Sequence, residues 1–183
     1  SSDLANGTTR RHVAASIEHP ATQPNDARAD TRALFDLIVG ARQAAGLHAV
    51  TRDPTLTEVA QTHAEAMKRR RFFAHVDPEG RDVTDRLRSR GLLFASVAEN
   101  IASGRSSEEI FAQWMQSPAH RQNLLDAEVT SLGVGLVAAD RIGQPHLLAT
   151  TVLARLGGAE NKQALIAGAL STLNADRKST RLN

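Results

Sequence analysis

The sequence predicts a single-domain α+β fold, on three observations. Apolar residues recur at helical spacing through the first two thirds of the chain, and after Asp126 that spacing gives way to alternation. The chain's 183 residues, 41% of them hydrophobic, suffice to bury roughly 70% of the unfolded surface around one core. Helices first and strands late put helices on a small sheet.

The first helix is expected to begin at Asp30 or Thr31, with Leu34, Leu37, Ile38, Ala41 and Ala45 on its apolar side and Gly46 ending it. Asp53-Pro54 marks the start of the second: the carboxylate accepts orphan amides, and proline's missing donor costs nothing in the first turn. Its face is Leu56, Val59, Ala60, His63, Ala64 and Met67. A short third helix starts around Asp82 to Thr84 and stops at Gly91. Ser106 with Glu109 forms a capping box for a fourth, carrying Ile110, Phe111, Trp114 and Met115. Ser117-Pro118 starts a fifth, with His120 in its first turn. Leu132, Val134 and Leu136 then alternate with Gly133, Gly135 and Val137. His146 to Ala154 is rich in Leu, Thr and Val beyond a Gly143-Gln144-Pro145 turn, so these two segments are expected to form a hairpin.

Composition narrows the function classes. Aromatic residues make up 3% of the chain, so Leu, Val, Ile and Ala must fill the core and Trp114 is expected to anchor it. With no Cys, a disulfide scaffold, a thiolate metal site and a cysteine nucleophile are excluded, and any metal would take N and O ligands. The formal charge of +2 invites a nucleic-acid reading, but the last octet, Asp176 to Asn183, holds three bases and one acid. Without it the chain is neutral, and no nucleic-acid partner is expected. The remaining basic run, Lys68-Arg69-Arg70-Arg71, fits a helix C-terminus whose cations complement the macrodipole better than a polyanion patch.

The chain starts at Ser1 with no apolar signal region, and no segment is long enough to span a membrane. Residues 1–29 read as a linker or frayed arm, 30–157 as the domain, and 158–175, apolar at Ala164, Leu165, Leu170 and Leu173, as a further helix. The octet 176–183 resembles a translated sequencing adaptor, and no function is assigned to it.

Three side chains stand out chemically. His75 lies in His75-Val76-Asp77-Pro78-Glu79-Gly80-Arg81, Glu99 in Ala98-Glu99-Asn100-Ile101-Ala102, and His120 in Ser117-Pro118-Ala119-His120-Arg121-Gln122-Asn123. Imidazole and carboxylate carry protons and bind first-row metals near neutral pH. Each also has a purely structural alternative: a buried or capping histidine, or a Glu99 that accepts backbone amides at a turn. Asp77 organises the Pro78-Glu79-Gly80 turn. Ser117 reads as a helix N-cap rather than a nucleophile, and His63 as a core residue rather than a ligand. His12, His19 and His48 have no informative context, and His146 is compatible with either side of the question.

From Ala33 to Arg155 these blocks resemble, in order, a bacterial CAP domain, of the SCP-like group that also includes cysteine-rich secretory, antigen 5 and pathogenesis-related-1 proteins. The histidine segment followed by Asp85-Arg86-Leu87 resembles the family's first histidine block. Ala98-Glu99-Asn100 resembles its Gly-Glu-Asn block, with Ala98 where glycine is usual. Trp114, Ser117, Pro118, His120, Asn123 and Leu124 resemble the second histidine block, and Leu132-Gly133-Val134-Gly135 the strand after it. The resemblance implies a three-layer α-β-α sandwich with a small, mostly antiparallel sheet and a cleft where His75, Glu99, Ser117 and His120 meet. It further implies that His75 and His120 can hold Zn2+ or another divalent cation. Ser117 stands where animal members carry a second cleft glutamate, which removes a carboxylate.

Three functional readings follow. The first is an extracellular or cell-envelope binding module for a small-molecule or lipid-like ligand. The second is a metal-assisted hydrolase with Glu99 as catalytic base. The third is an interaction domain for a cell-envelope component, with a structural cleft. The missing second glutamate and the lack of an unambiguous nucleophile favour the first.

Overall fold

The computed structural model of the protein describes residues 24–141 and 144–157. The expected arm through residue 23, the helix over 158–175 and the tail 176–183 lie outside them. In chain order the elements are α1 (Pro24–Ala44), β1 (Thr51–Arg52), α2 (Pro54–Arg70), α3 (Val83–Arg88), β2 (Phe94–Gly104), α4 (Ser107–Gln116), α5 (Pro118–Leu124), β3 (Ser131–Arg141) and β4 (Gln144–Leu156).

Local signals account for most of the boundaries. Asp53 Oδ1 accepts the Leu56 amide at 2.8 Å, and Asp82 and Asp85 complete a reciprocal capping box at the start of α3. Gly46 and Gly91 take positive φ where α1 and the turn after α3 end. Two expectations need correction. The first helix starts at Pro24, ahead of Asp30, because residues 24–33 contain no large apolar side chain and hydrophobic periodicity is blind to them. The Ser106 box is half formed: Ser106 Oγ accepts the Glu109 amide at 3.2 Å, but the Glu109 carboxylate takes the backbone and side chain of Arg105 instead.

The four strands run in the order β1-β3-β4-β2. β1 pairs with β3 in parallel, and the β3/β4 and β2/β4 pairs are antiparallel. Alternation along β4 separates two cores. Leu147, Ala149 and Leu153 join Leu34 and Ile38 of α1, Ile110 and Trp114 of α4, and Leu124 of α5. Val152 and Ala154 join Leu56, Val59 and Ala60 of α2 and Leu87 of α3. The architecture is therefore an α-β-α sandwich, with α1, α4 and α5 on one face of the sheet and α2 and α3 on the other.

Two glycines set the thickness of the second layer. A Cβ on Gly133 would come 2.2 Å from the Leu56 carbonyl carbon, and one on Gly135 would come 2.2 Å from the Gln61 nitrogen. The α2 backbone rests directly on β3, and Gln61 Oε1 accepts the Leu136 amide at 2.9 Å. On the opposite layer Arg42, 1% exposed, donates to the carbonyls of Leu124, Asp126 and Val129. It ties α1 to the loop between α5 and β3.

Two strands are absent from the sequence reading: the two-residue β1 and the longer β2. The longer one lies at the edge of the sheet, and α4 covers part of it. Trp114, fully buried, donates its indole N–H to the Ile101 carbonyl at 3.2 Å, and Gln113 Nε2 donates to the Ser103 carbonyl.

Candidate functional site

Adjacent residues of β2 point into opposite layers, and this places the site. Asn100 and Ala102 face the α4/α5 side, whereas Val97 and Glu99 face α2 and α3. Glu99 is thus a strand residue, and the expected turn with backbone amides is not its setting. Its side chain is 2% exposed. Oε1 accepts from His75 Nδ1 at 3.0 Å, and Oε2 is ion-paired with Arg86 Nη2. His63 Nε2 lies 4.0 Å from Oε1.

The loop between α2 and α3 is held by several independent bonds. Asp77 Oδ1 accepts the amides of Glu79 and Arg81, its Oδ2 accepts Arg81 Nε, and its carbonyl accepts the Gly80 amide. The expected turn-forming role of Asp77 is what the geometry contains. Burial would push the Asp77 carboxyl up, but the bonds from Arg81 and Glu79 hold it below the usual carboxylate range. Arg86 Nη1 donates to the carbonyls of His75 and Arg81, which fixes the backbone on both sides of the turn.

Hydrogen-bond partners determine two tautomers. Glu99 only accepts, so the neutral His75 ring carries its proton on Nδ1 and leaves Nε2 as an acceptor on a side chain that is 52% exposed. The Ala74 carbonyl also only accepts, so His63 carries its proton on Nε2, 3.0 Å away. His63 Nδ1 is then a buried lone pair without a partner. Burial pushes the His63 pKa down, as does Arg86, while Glu99, the Ala74 carbonyl and Asp77 oppose that shift. His63 is a core residue, as expected, but one built into the Glu99 group, with its ring edge-on to Phe72 at 5.8 Å.

His120 reaches the same edge of the sheet from the other layer. Asn100 Nδ2 donates to the His120 carbonyl at 3.0 Å, and Asn123 Nδ2 donates to Asn100 Oδ1 at 2.8 Å. The fully buried Asn100 thereby clamps α5 to the residue next to Glu99. Burial lowers the His120 pKa, and the charge of His75 lowers it further. Ser117 occupies the N-cap position of α5, but its hydroxyl makes no capping bond. Its backbone serves both neighbouring helices, the N–H donating to the Gln113 carbonyl and the carbonyl accepting from Arg121, so the side chain is left uncommitted. His146 sits six residues from Glu99's partner Val152 on β4, about 20 Å along the strand, and its charge acts on Glu109 instead.

His75 and His120 are the two imidazoles brought to this edge of the sheet, and Glu99 orients the His75 ring through its bond to Nδ1. Among the described residues no group of three or more His, Asp or Glu side chains is arranged to hold a metal ion. Two surface cavities, of about 630 and 820 Å³, open elsewhere: one along α4 and α5, and one between α1 and α2 around Arg28, Arg32 and Arg52.

Sequence reasoning left His63 and Arg86 without a role at this site. The available signals were a histidine on an otherwise apolar helix face and an arginine beside Leu87 in a block carried only by resemblance.

The profile of the cysteine-rich secretory protein family, CAP, matches residues 25–150. YkwD of Bacillus subtilis, described as uncharacterized, is 32% identical over 120 residues, which is 65% of this chain and 47% of that protein. The chain thus spans about half the length of this curated relative. A crystal structure of an extracellular protein containing an SCP domain from Bacillus anthracis superposes with a TM-score of 0.63 at 27% identity, covering 73% of this chain and 44% of that one. An outer surface protein of Borrelia burgdorferi gives a TM-score of 0.63 at 20% identity, covering 72% and 96%. With the sandwich and the ordered histidine and glutamate blocks already in place, this profile match shows that the chain belongs to the cysteine-rich secretory protein (CAP) family.

Proposed function

We propose that the chain is an extracytoplasmic binding module whose His75/Glu99/His120 cleft takes a small-molecule or lipid-like ligand, with His75 and His120 able to hold a divalent cation such as Zn2+. The observation that carries this reading is the saturation of Glu99. One oxygen faces His75 Nδ1 at 3.0 Å and the other is ion-paired with Arg86. A carboxylate held in this way orients a histidine and is a poor candidate for moving a substrate proton. With no second glutamate at Ser117, this favours recognition over hydrolysis. When bound, the cation would supply Lewis acidity or a ligand anchor at the open positions of a two-imidazole site. The extracellular setting is supported by the description of the Bacillus anthracis relative. Among the described residues no helix is long and apolar enough to cross a membrane.

Calorimetric titration of Zn2+ into chelator-stripped protein tests the metal component, run beside a folded His75→Ala, His120→Ala double variant. Saturable one-to-one binding that disappears in the variant is expected. Absence of heat in both removes the cation from the reading. Retained turnover of an ester or peptide substrate that depends on Glu99 would replace the binding module with the hydrolase.

A further inference from the structure

We propose that the segment from Lys68 to Val76, at the C-terminal end of α2, is a contact surface for an anionic lipid bilayer. This surface needs no ligand in the His75/Glu99/His120 group and stands on separate observations.

The first is apolar exposure on a fixed backbone. Phe73 and Val76 are the exposed large hydrophobic residues among those described, at 52% and 48%. They are not displayed by a loose loop, because the positions between and beside them are pinned. Phe72 packs its ring on His63, the Ala74 carbonyl accepts from His63, and the His75 ring and carbonyl are bonded to Glu99 and Arg86. The buried Asp77 anchors the far side. Their ordering entropy is already spent, so two apolar side chains stand ready for insertion.

The second is charge. Lys68, Arg69 and Arg71 are exposed and make no ion pair among the described residues, while Arg70 is paired with Glu79. The helix macrodipole explains bases in the last turn. It does not account for an arginine in place of glycine at residue 71, which caps α2 in the left-handed region at φ 57, where glycine is the usual residue. A strained backbone position that keeps a guanidinium points to use of that guanidinium.

Neither signal alone holds a protein on a membrane, but a basic cluster beside an apolar insertion does. A soluble polyanion would satisfy the cations and leave Phe73 and Val76 unexplained. The bilayer accounts for both, and it would bring His75, between the two apolar residues, to headgroup level.

Sedimentation of the full chain with vesicles tests this, using phosphatidylcholine alone and with about one third phosphatidylglycerol, at low and high ionic strength. The expected result is partitioning onto the anionic vesicles only, weakened by salt. Arg71→Gly and Lys68→Gln should each lower it about fivefold, and Phe73→Ser with Val76→Ser about tenfold. Phe73→Trp should shift its emission to the blue on anionic vesicles. Thermal melts establish that these surface variants are folded. Equal binding to neutral vesicles overturns the proposal, as does no binding at all. Binding undiminished by the apolar substitutions and displaced by inorganic polyphosphate would assign the segment to a soluble polyanion instead.

Discussion

Arg86 and Glu99 form an ion pair in which the arginine and glutamate side chains are 9% and 2% exposed. It joins α3 to the edge strand that carries the candidate site. Arg86 also donates to the His75 and Arg81 carbonyls, so one guanidinium fixes the position of both the histidine and its carboxylate partner. Taking two charges out of water is costly, and removing one partner leaves the other unpaired. Glu99→Leu is therefore expected to lose about 3–5 kcal/mol of stability. The double variant Glu99→Leu, Arg86→Met should lose less than the sum of the two single changes. Urea unfolding of the four proteins measures this, and strict additivity would show that the pair is not coupled.

Acid sensitivity follows from the histidines. The folded-state pKa values of His63 and His120 lie below the ordinary 6.5, chiefly through burial. Below 6.5 the unfolded chain binds protons that the folded chain refuses, so these groups add stability above 6.5 and lose it as pH falls toward their folded values. For His63 the neighbouring Glu99 and Asp77 favour the proton and Arg86 opposes it, while an incoming proton on Nδ1 would find no acceptor. Melting temperature should be flat above about pH 7 and should fall below about pH 6. His63→Gln, which retains an N–H donor for Ala74, should flatten that decline. An equally steep acid loss in the variant would remove His63 as its source.

The residues differ in how legible they are. Helices with an apolar stripe and a cap can be read directly: Asp53-Pro54 with Leu56, Val59 and Ala60 yields α2 with its boundaries. The alternation at Leu132, Val134 and Leu136 yields β3, although both hairpin strands run further than the apolar residues do. β2 escapes because its central residues are polar on both faces. Glu99 enters one layer and Asn100 the other, and both are buried, so no apolar alternation is left to detect. The same burial makes Arg86 and Arg42 invisible to composition, since an arginine that feeds several carbonyls looks like a surface residue in a sequence. His75 and His120 are recognisable because punctuated loop and cap residues surround them, and Glu99 because the Ala98-Glu99-Asn100 block within its strand resembles a family block. Their partners are not, because they come from helix faces distant in sequence.

Gly133 and Gly135 carry the close approach of α2 to the sheet. An alanine at either position would drive its Cβ to 2.2 Å from helix backbone, which flexible side chains cannot relieve. Each Gly→Ala change should cost about 3 kcal/mol, because α2 must lift and the Gln61 bond to the Leu136 amide must lengthen. Thermal unfolding measures the loss. Near-neutral substitutions would mean that the layers are less tightly seated than this contact implies.

Arg71 makes the opposite prediction. A β-carbon in the left-handed region costs about 1–2 kcal/mol, and glycine returns part of that gain through the larger freedom of its unfolded chain. The guanidinium makes no ion pair among the described residues that would compensate, while the backbone N–H still closes the helix on the Met67 carbonyl. Arg71→Gly should therefore stabilise the fold by about 0.5–1 kcal/mol, read as a higher urea midpoint at unchanged slope. Greater stability accompanied by weaker binding to anionic vesicles would separate the structural cost of this arginine from its use, whereas a loss of stability would mean that the side chain supports α2 directly.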